Sequence, residues 1–370
     1  MPDAGRVLSG SRYPTVTAAT LAASRHVRPS IARRPLVLAA VGIGVLLVVL
    51  VLGVAAGSVF VPPGDTIAIL AHRLFGLDLG IRWTPAEETI VFDLRLPRVL
   101  TAMTVGVGLA VAGAAFQGVL RNPLADPYVL GTASGAALGA AIAVILPVRA
   151  VVLEFGLLHG LAFLGALGAV FVVYRLSRVG GHGQMTSLLL TGYAVASLLA
   201  AGLSMAMFAS GAGLRQIFSY LLGGFEAATW VRFATALPLI AGACALLVVR
   251  ARALNGFLLG EEAAAHLGVD VRRERAILLG LASLATAAAV AVSGLIGFVG
   301  LVAPHVVRLA VGPNARLVLP LAAIFGAVLM VGADLAARLL GDIPVGVVTA
   351  VIGAPFFLLL LRRTRAGYEL

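Results

Sequence analysis

The sequence contains no lysine, so all 27 of its Lys+Arg positions are arginine. That absence excludes a Walker A phosphate loop, whose Gly-Lys-Ser/Thr needs a lysine to reach the β- and γ-phosphates. Any ATP-driven activity therefore requires a separate hydrolysing subunit. A single cysteine, Cys244, lies in an apolar run, which excludes an intramolecular disulfide and a Cys-rich metal site. It fits as a small packing residue. Charge of either sign is scarce: 12% of the 370 residues are charged and 61% are hydrophobic, whereas soluble domains carry about 25% charged residues. A water-soluble globule of this length has no way to build its polar shell from such a composition. The chain is expected to be an integral membrane protein.

What charge there is has a sign, 27 Arg against 16 Asp+Glu for a net +11. The arginines stand in short connections between apolar runs, where they set membrane orientation, and this placement argues against nucleic-acid binding. A spanning helix takes about 20 apolar residues. Apolar stretches run over 36–57, 99–119, 128–147, 156–174, 186–208, 231–249, 276–292, 295–309, 318–337 and 345–361, which makes ten spans. With the N-terminus inside, the clusters Arg175/Arg178, Arg250/Arg252 with Arg272/Arg273/Arg275, Arg308/Arg316 and Arg362/Arg363/Arg365 all fall on the cytoplasmic side, as the positive-inside rule requires. The C-terminus is then cytoplasmic as well.

The expected fold is an all-α integral membrane protein, a polytopic bundle of about ten transmembrane helices over 36–365. Residues 1–35, with Arg25, Arg28, Arg33 and Arg34, have little periodicity and are expected to be a disordered cytoplasmic tail. A cleaved signal peptide competes, with Ala55-Ala56-Gly57 as its small-residue end. The long basic leader and the extended apolar run favour an uncleaved first helix. Residues 62–98, which include Pro62, Pro63, Gly64, Asp65, Glu87, Glu88 and Asp93, are expected to form an external loop with a short amphipathic helix.

Enzymatic constellations are missing or weak. None of the six histidines pairs at i, i+4 with another, the spacing a zinc protease needs. Gly131-Thr132-Ala133-Ser134-Gly135 distantly suggests an intramembrane serine protease, but Ser134 has no assignable base. Gly131, Gly135 and Gly139 share a helical face, which suits close helix packing in lipid. Pro304 and Pro355 lie within spans and free carbonyls that neighbouring helices must satisfy. Ionisable residues in spans mark function by default. The candidates are Asp126 and the i, i+4 pair Asp334/Arg338, whose simplest reading is a local ion pair. No chain of buried carboxylates stands ready for protons or sodium.

Four groups of segments together resemble one family. The first comprises Arg95-Leu96-Pro97-Arg98, Gly113-Ala114-Ala115-Phe116-Gln117-Gly118 and Arg121-Asn122-Pro123-Leu124-Ala125-Asp126-Pro127. The others are Leu221-Leu222-Gly223-Gly224-Phe225, then Leu259 to Val269, then Ser293-Gly294-Leu295-Ile296-Gly297-Phe298-Val299-Gly300-Leu301 with Pro304-His305, Ile343-Pro344-Val345-Gly346 and Gly353-Ala354-Pro355-Phe356. These strings resemble the FecCD-type permeases of ABC importers for iron–siderophores, haem and cobalamin, over about residues 50–365.

The resemblance implies the type II ABC-importer permease fold, a homodimer in a bacterial plasma membrane, two copies of a cytoplasmic ABC ATPase and an extracytoplasmic binding protein. ATP and magnesium then belong to the partner ATPase, and this chain binds no cofactor of its own. Arg95, Arg98 and Arg338 match outward-facing arginines that meet glutamates on the binding protein. Residues 253–275 match the cytoplasmic coupling loop, with Glu261, Glu262, Ala263, Ala264, Ala265, His266 and Leu267 as a helix bracketed by Gly260 and Gly268. Asn122 and Leu124, with Met185 and Thr186, match positions that close the pathway at the cytoplasmic face. The cargo is expected to be a metal chelate, with ferric siderophore first, then haem, then cobalamin, and selectivity resides mainly in the binding protein. An ion-coupled secondary transporter and a membrane-embedded enzyme are the competing classes.

Overall fold

The protein is described here from a computed structural model, which covers residues 34–146, 151–152, 155–179, 185–266 and 268–366. The expected tail lies, up to residue 33, outside the described residues. Apart from a two-residue antiparallel ladder pairing Val151 with Gly156 and Val152 with Phe155, the regular structure described is helical. The helices are α1 Arg34–Ala55, α2 Pro63–Phe75, α3 Pro85–Val119, α4 Thr132–Ile145, α5 Leu157–Val179, α6 Met185–Ala209 and α7 Leu214–Leu222. They continue as α8 Trp230–Val249, α9 Ala251–Leu259, α10 Glu261–His266, α11 Val271–Ser293, α12 Val299–Val311, α13 Ala315–Leu339 and α14 Val345–Ala366. Seven of them (α1, α3, α5, α6, α8, α11 and α13) are long and apolar enough to span a membrane. The shorter apolar helices α4, α12 and α14 bring the total to the ten expected.

The second expected span proves to be the end of a much longer helix. α3 begins at Pro85 because Thr84 and Glu87 form a capping box. The Glu87 N–H donates to Thr84 Oγ1 at 3.2 Å and the Thr84 N–H donates to Glu87 Oε2 at 2.7 Å, which satisfies two of the amides that a helix start leaves free. Residues Thr89–Arg95 wind as a π-helix. Pro97 follows and has no N–H to offer the carbonyl five residues back, that of Phe92. The indole Nε1–H of Trp230 donates to that carbonyl at 3.1 Å instead. The expected external loop 62–98 is corrected accordingly: its last third is helix, and Arg95 and Arg98 are helical residues.

α3 is the axis of the bundle, almost wholly buried, and α11 and α13 pack on it. α1 and α6 are the outermost helices of the subunit, with only 11% of their apolar windows buried within it. Lipid supplies no hydrophobic force between helices, so close contact rests on small residues and dispersion. A Cβ on Gly113 would stand 1.8 Å from the carbonyl oxygen of Gly300, so α3 and α12 touch backbone to backbone. Gly135 and Gly139 do the same for α4 against α5, with Cβ positions 2.2 Å from Gly165 O and 2.1 Å from Leu161 O. This is the packing role expected of that stripe. Gly131 lies outside it, as the left-handed residue (φ 79°) that starts α4.

α4 has 14 residues, a length of about 21 Å, shorter than the roughly 30 Å hydrocarbon core. The third span was expected from residue 128, but Pro123, Pro127 and Gly131 keep 120–131 non-helical. A second break at 294–298 precedes α12. Such irregular backbone is tolerated at membrane depth only when protein satisfies it, and these two breaks help to satisfy each other. Tyr128 Oη donates to Ile296 O at 2.9 Å and accepts from Ile296 N–H at 3.3 Å. Leu295 N–H donates to Tyr220 O at 3.3 Å. Pro304 leaves Gly300 O without its helical donor, and Gln117 Nε2 donates to it at 3.3 Å.

Candidate functional site

The residues singled out by sequence gather at opposite ends of the bundle. At one end the arginines come together. Arg95 is 7% exposed and donates from Nη1 to Val54 O at 3.1 Å and Ala55 O at 2.7 Å, and from Nη2 to Val59 O. It thereby closes the last turn of α1, whose final carbonyls have no helical partner. Gly57 is required beside it, because a Cβ there would stand 2.6 Å from Arg95 Nη2. Arg338 is 9% exposed. Its Nη1 donates to Ala56 O at 2.8 Å and its Nε lies 3.1 Å from Asp334 Oδ2, the i, i+4 pair expected from sequence. Arg98 Nε donates to Asp334 Oδ1 at 2.9 Å, and Arg98 Nη1 lies 3.8 Å from Asp342 Oδ1.

Asp334 is fully buried and holds two guanidinium groups at once. Within the subunit, Arg95 and Arg338 are largely buried rather than free at the surface. Arg95 is directed at carbonyls, whereas Arg338 donates from Nη1 to Ala56 O and is ion-paired with Asp334, with its Nε and Nη2 making no hydrogen bond among the described residues. All three arginines nevertheless line one cleft of about 280 Å³, together with Gly57, Asp342 and the exposed Glu226. The cleft offers guanidinium edges in the shape and charge that a carboxylate fits. The role of Asp334 as the hub was only half legible, since Arg98 lies 236 positions away in the chain.

At the opposite end stands the connection between α8 and α11. It forms two short helices, α9 and α10, and both starts and ends earlier than the expected 253–275, because α11 already begins at Val271. Gly260 (φ 110°) and Gly268 (φ 81°) bracket α10 in backbone conformations that favour glycine. Glu261 and Glu262 occupy its first turn and His266 its last, which suits the helix dipole. Ala264 is buried against Gly256, whereas Leu259, Glu261, Glu262, Ala265 and His266 are exposed. Ala263 is half-buried, and Leu267 lies outside the described residues.

This platform is braced from behind. Glu261 pairs with Arg275 and Arg250 pairs with Glu274. Asn255 on α9 joins the start of α13: its Nδ2 donates to Asn314 Oδ1 at 2.9 Å and its Oδ1 accepts from Ala315 N–H at 2.7 Å. The other end of α13 carries Asp334 and Arg338. One helix therefore spans from the two-helix platform to the arginine cleft.

The expected gate residues lie on the platform side. Asn122 is exposed in the turn after α3, where its Oδ1 accepts from Leu124 N–H at 2.9 Å, and Leu124 is half-buried. Met185 is the first residue of α6 and Thr186 is exposed beside it. α6 approaches the 120–131 segment, but through Gly192, where a Cβ would stand 2.7 Å from Val129 O. Nearby, Arg308 donates to Gln117 Oε1 and to Ala114 O at 3.2 Å, a polar cross-link that sequence spacing gave no means to find.

The profile of the FecCD transport family matches residues 45–363. The cobalamin import system permease protein BtuC of Halobacterium salinarum is 44% identical over 301 residues, covering 81% of this chain and 79% of that protein. The hemin transport system permease protein HmuU of Yersinia pestis is 39% identical over 310 residues, covering 81% and 92%. A siderophore transport system permease, YfhA of Bacillus subtilis, is 35% identical over 335 residues, covering 87% and 93%. A solved structure of a metal-chelate type ABC transporter in an inward-facing conformation superposes with a TM-score of 0.76 at 29% identity, covering 88% of this chain and 98% of that one.

Proposed function

The chain belongs to the FecCD transport family, and from that premise we propose that it is the membrane-spanning subunit of an ATP-driven, binding-protein-dependent importer of a large metal chelate. It is a multi-pass permease, and the pathway is formed between two copies that alternate between outward-open and inward-open states. The single observation that carries this reading is the platform α9–α10 in a chain without lysine. A transporter with no phosphate loop of its own presents two short helices, braced from behind and exposed in front, to a separate ATPase.

The arginine cleft supports the matching role at the far end. An acidic side chain of the binding protein, entering between Arg98 and Arg338, meets guanidinium edges already oriented by Asp334. Arg95 is a positioning residue in this account, holding the end of α1 rather than meeting the partner. The platform faces the cytoplasm and the cleft the opposite side, as the arginine distribution requires. Asn122, Leu124, Met185 and Thr186 close the pathway near the platform.

The family resemblance by itself ranks ferric siderophore first among cargoes. The functions of the relatives move cobalamin to the front, followed by haem and siderophore. Two measurements test the proposal. The isolated chain, freed of contaminating ATPases, is expected to show no ATP turnover, and its cognate binding protein is expected to bind a corrinoid more tightly than haem or a ferric siderophore. Nucleotide turnover by the chain alone would remove the transport-subunit reading. A binding protein that takes an amino acid or sugar and no chelate would remove the cargo class.

A further inference from the structure

Beside the arginine cleft, the chain leaves a cluster of large apolar side chains uncovered. Phe75 is 74% exposed, Leu77 55%, and Leu74 and Leu79 52% each, with Ile81 also exposed. The cluster begins on the last turn of α2 and continues into 76–82, beyond Gly76, which ends the helix in the left-handed region (φ 68°). In 77–82 the residue types alternate, with Leu77, Leu79 and Ile81 interleaved by Asp78, Gly80 and Arg82. The chain bends at Gly80 (φ 69°), whose N–H donates to Asp78 Oδ1 at 2.8 Å, and the three apolar side chains are all left exposed. An uncovered apolar patch of this kind marks an interaction surface.

We propose that Leu74–Ile81 lies in the headgroup and upper acyl region of the adjacent leaflet and anchors this corner of the permease to the lipid surface. Continuity with α1 is the first reason. α2 follows α1 after seven residues and packs against it, and α1 presents its apolar side chains outward along its length. The apolar surface of α1 thus runs on into the patch. The flanking groups are the second reason. Arg73 and Arg82 bracket the cluster and are exposed, and Trp83 stands at its edge with its indole N–H donated to Glu88 Oε2 at 3.0 Å. An exposed arginine such as Arg82 within reach of phosphates, and an amphipathic ring at the boundary, are what a headgroup region selects.

A docked protein explains the patch less well, because a delivery partner leaves after each cycle and would return these side chains to water. The anchor is also tied to the cleft. Arg73 pairs with Glu88 at 3.2 Å, its guanidinium sits 4.7 Å over the Phe92 ring, and the His72 ring lies tilted against Trp83 at 5.5 Å. Glu88 and Phe92 are on the same helix as Arg95 and Arg98. Holding the patch in lipid therefore fixes the depth of the helix that carries the cleft.

The test uses the full chain in phosphatidylcholine–phosphatidylglycerol vesicles. Cys244→Ala removes the native thiol, which is buried, and single cysteines at Phe75 or Leu79 take a bimane label. Leu47 on α1 serves as the lipid reference and Glu262 on α10 as the water reference. Labels at Phe75 and Leu79 are expected to be quenched by shallow doxyl-lipid about threefold more than the label at Glu262, as residues at an acyl boundary are. Quenching equal to that at Glu262, with ready access by iodide, would overturn the proposal. So would shielding that develops only when the binding protein or a second copy is added. Where a labelled variant fails to insert, Trp83 in the Trp230→Phe chain gives the same comparison by brominated-lipid quenching, and its indifference to brominated lipid would count against the anchor.

Discussion

Replacing Asp334 with asparagine is expected to lower the stability of the folded bundle by about 3–5 kcal/mol, the loss that follows when one partner of a buried ion pair is removed. Asp334 is 0% exposed and lies within 3.1 Å of both Arg98 and Arg338. Asparagine keeps the size and removes the charge, so the effect is electrostatic rather than a cavity. What remains nearby is Asp342, with 57% of its side chain exposed and 3.8 Å from Arg98, too distant and too wet to replace it. Arg95, satisfied by neutral carbonyls alone, adds a third positive charge to the same cleft. Thermal unfolding in nanodiscs measures the loss. The double variant Asp334→Asn/Arg338→Met is expected to recover part of it, because one of the two cations left unpaired, the more deeply buried, is then gone as well. A single variant that loses under about 1 kcal/mol would mean that water screens the cluster as it does surface pairs.

Exchanging residues 261–267 for a Gly/Ser linker of equal length is expected to leave membrane insertion and the fold intact while reducing coupled transport to the background seen without ATP. The exchange removes the exposed face of α10 and the Glu261–Arg275 pair, and leaves α9 and its Asn255–Asn314 junction in place. A flexible linker transmits no displacement, because a Gly/Ser chain behaves as a random coil. ATP turnover by the partner enzyme should then no longer respond to the loaded binding protein. If uptake persists at the wild-type rate, α10 is not the coupling element.

The positions of the spans were legible because each is a long apolar run, and so was the demand that Pro304 makes on a neighbouring helix. Their ends were less so. Polar residues such as Glu87, Glu88 and Asp93 suggested an external loop, although Thr84-Pro85-Ala86-Glu87 carries the signature of a helix start and the helix does begin there. α4 starts late for a reason also written in the chain, the Pro123, Pro127 and Gly131 series, which hydropathy does not weigh. The arginine cleft was legible in membership and not in state. Arg95 finds its acceptors 36 to 41 positions earlier, and Asn255 finds Asn314 59 positions later. Contacts at such separations are set by how helices pack, and periodicity carries no record of them.

Uptake into proteoliposomes tests the central claim most directly. Vesicles carrying the chain with its partner ATPase, supplied with ATP and the loaded binding protein, should accumulate labelled cobalamin or another metal chelate, and omission of any one component should abolish the signal. Accumulation driven by a proton or sodium gradient in vesicles that hold the chain alone would contradict the account.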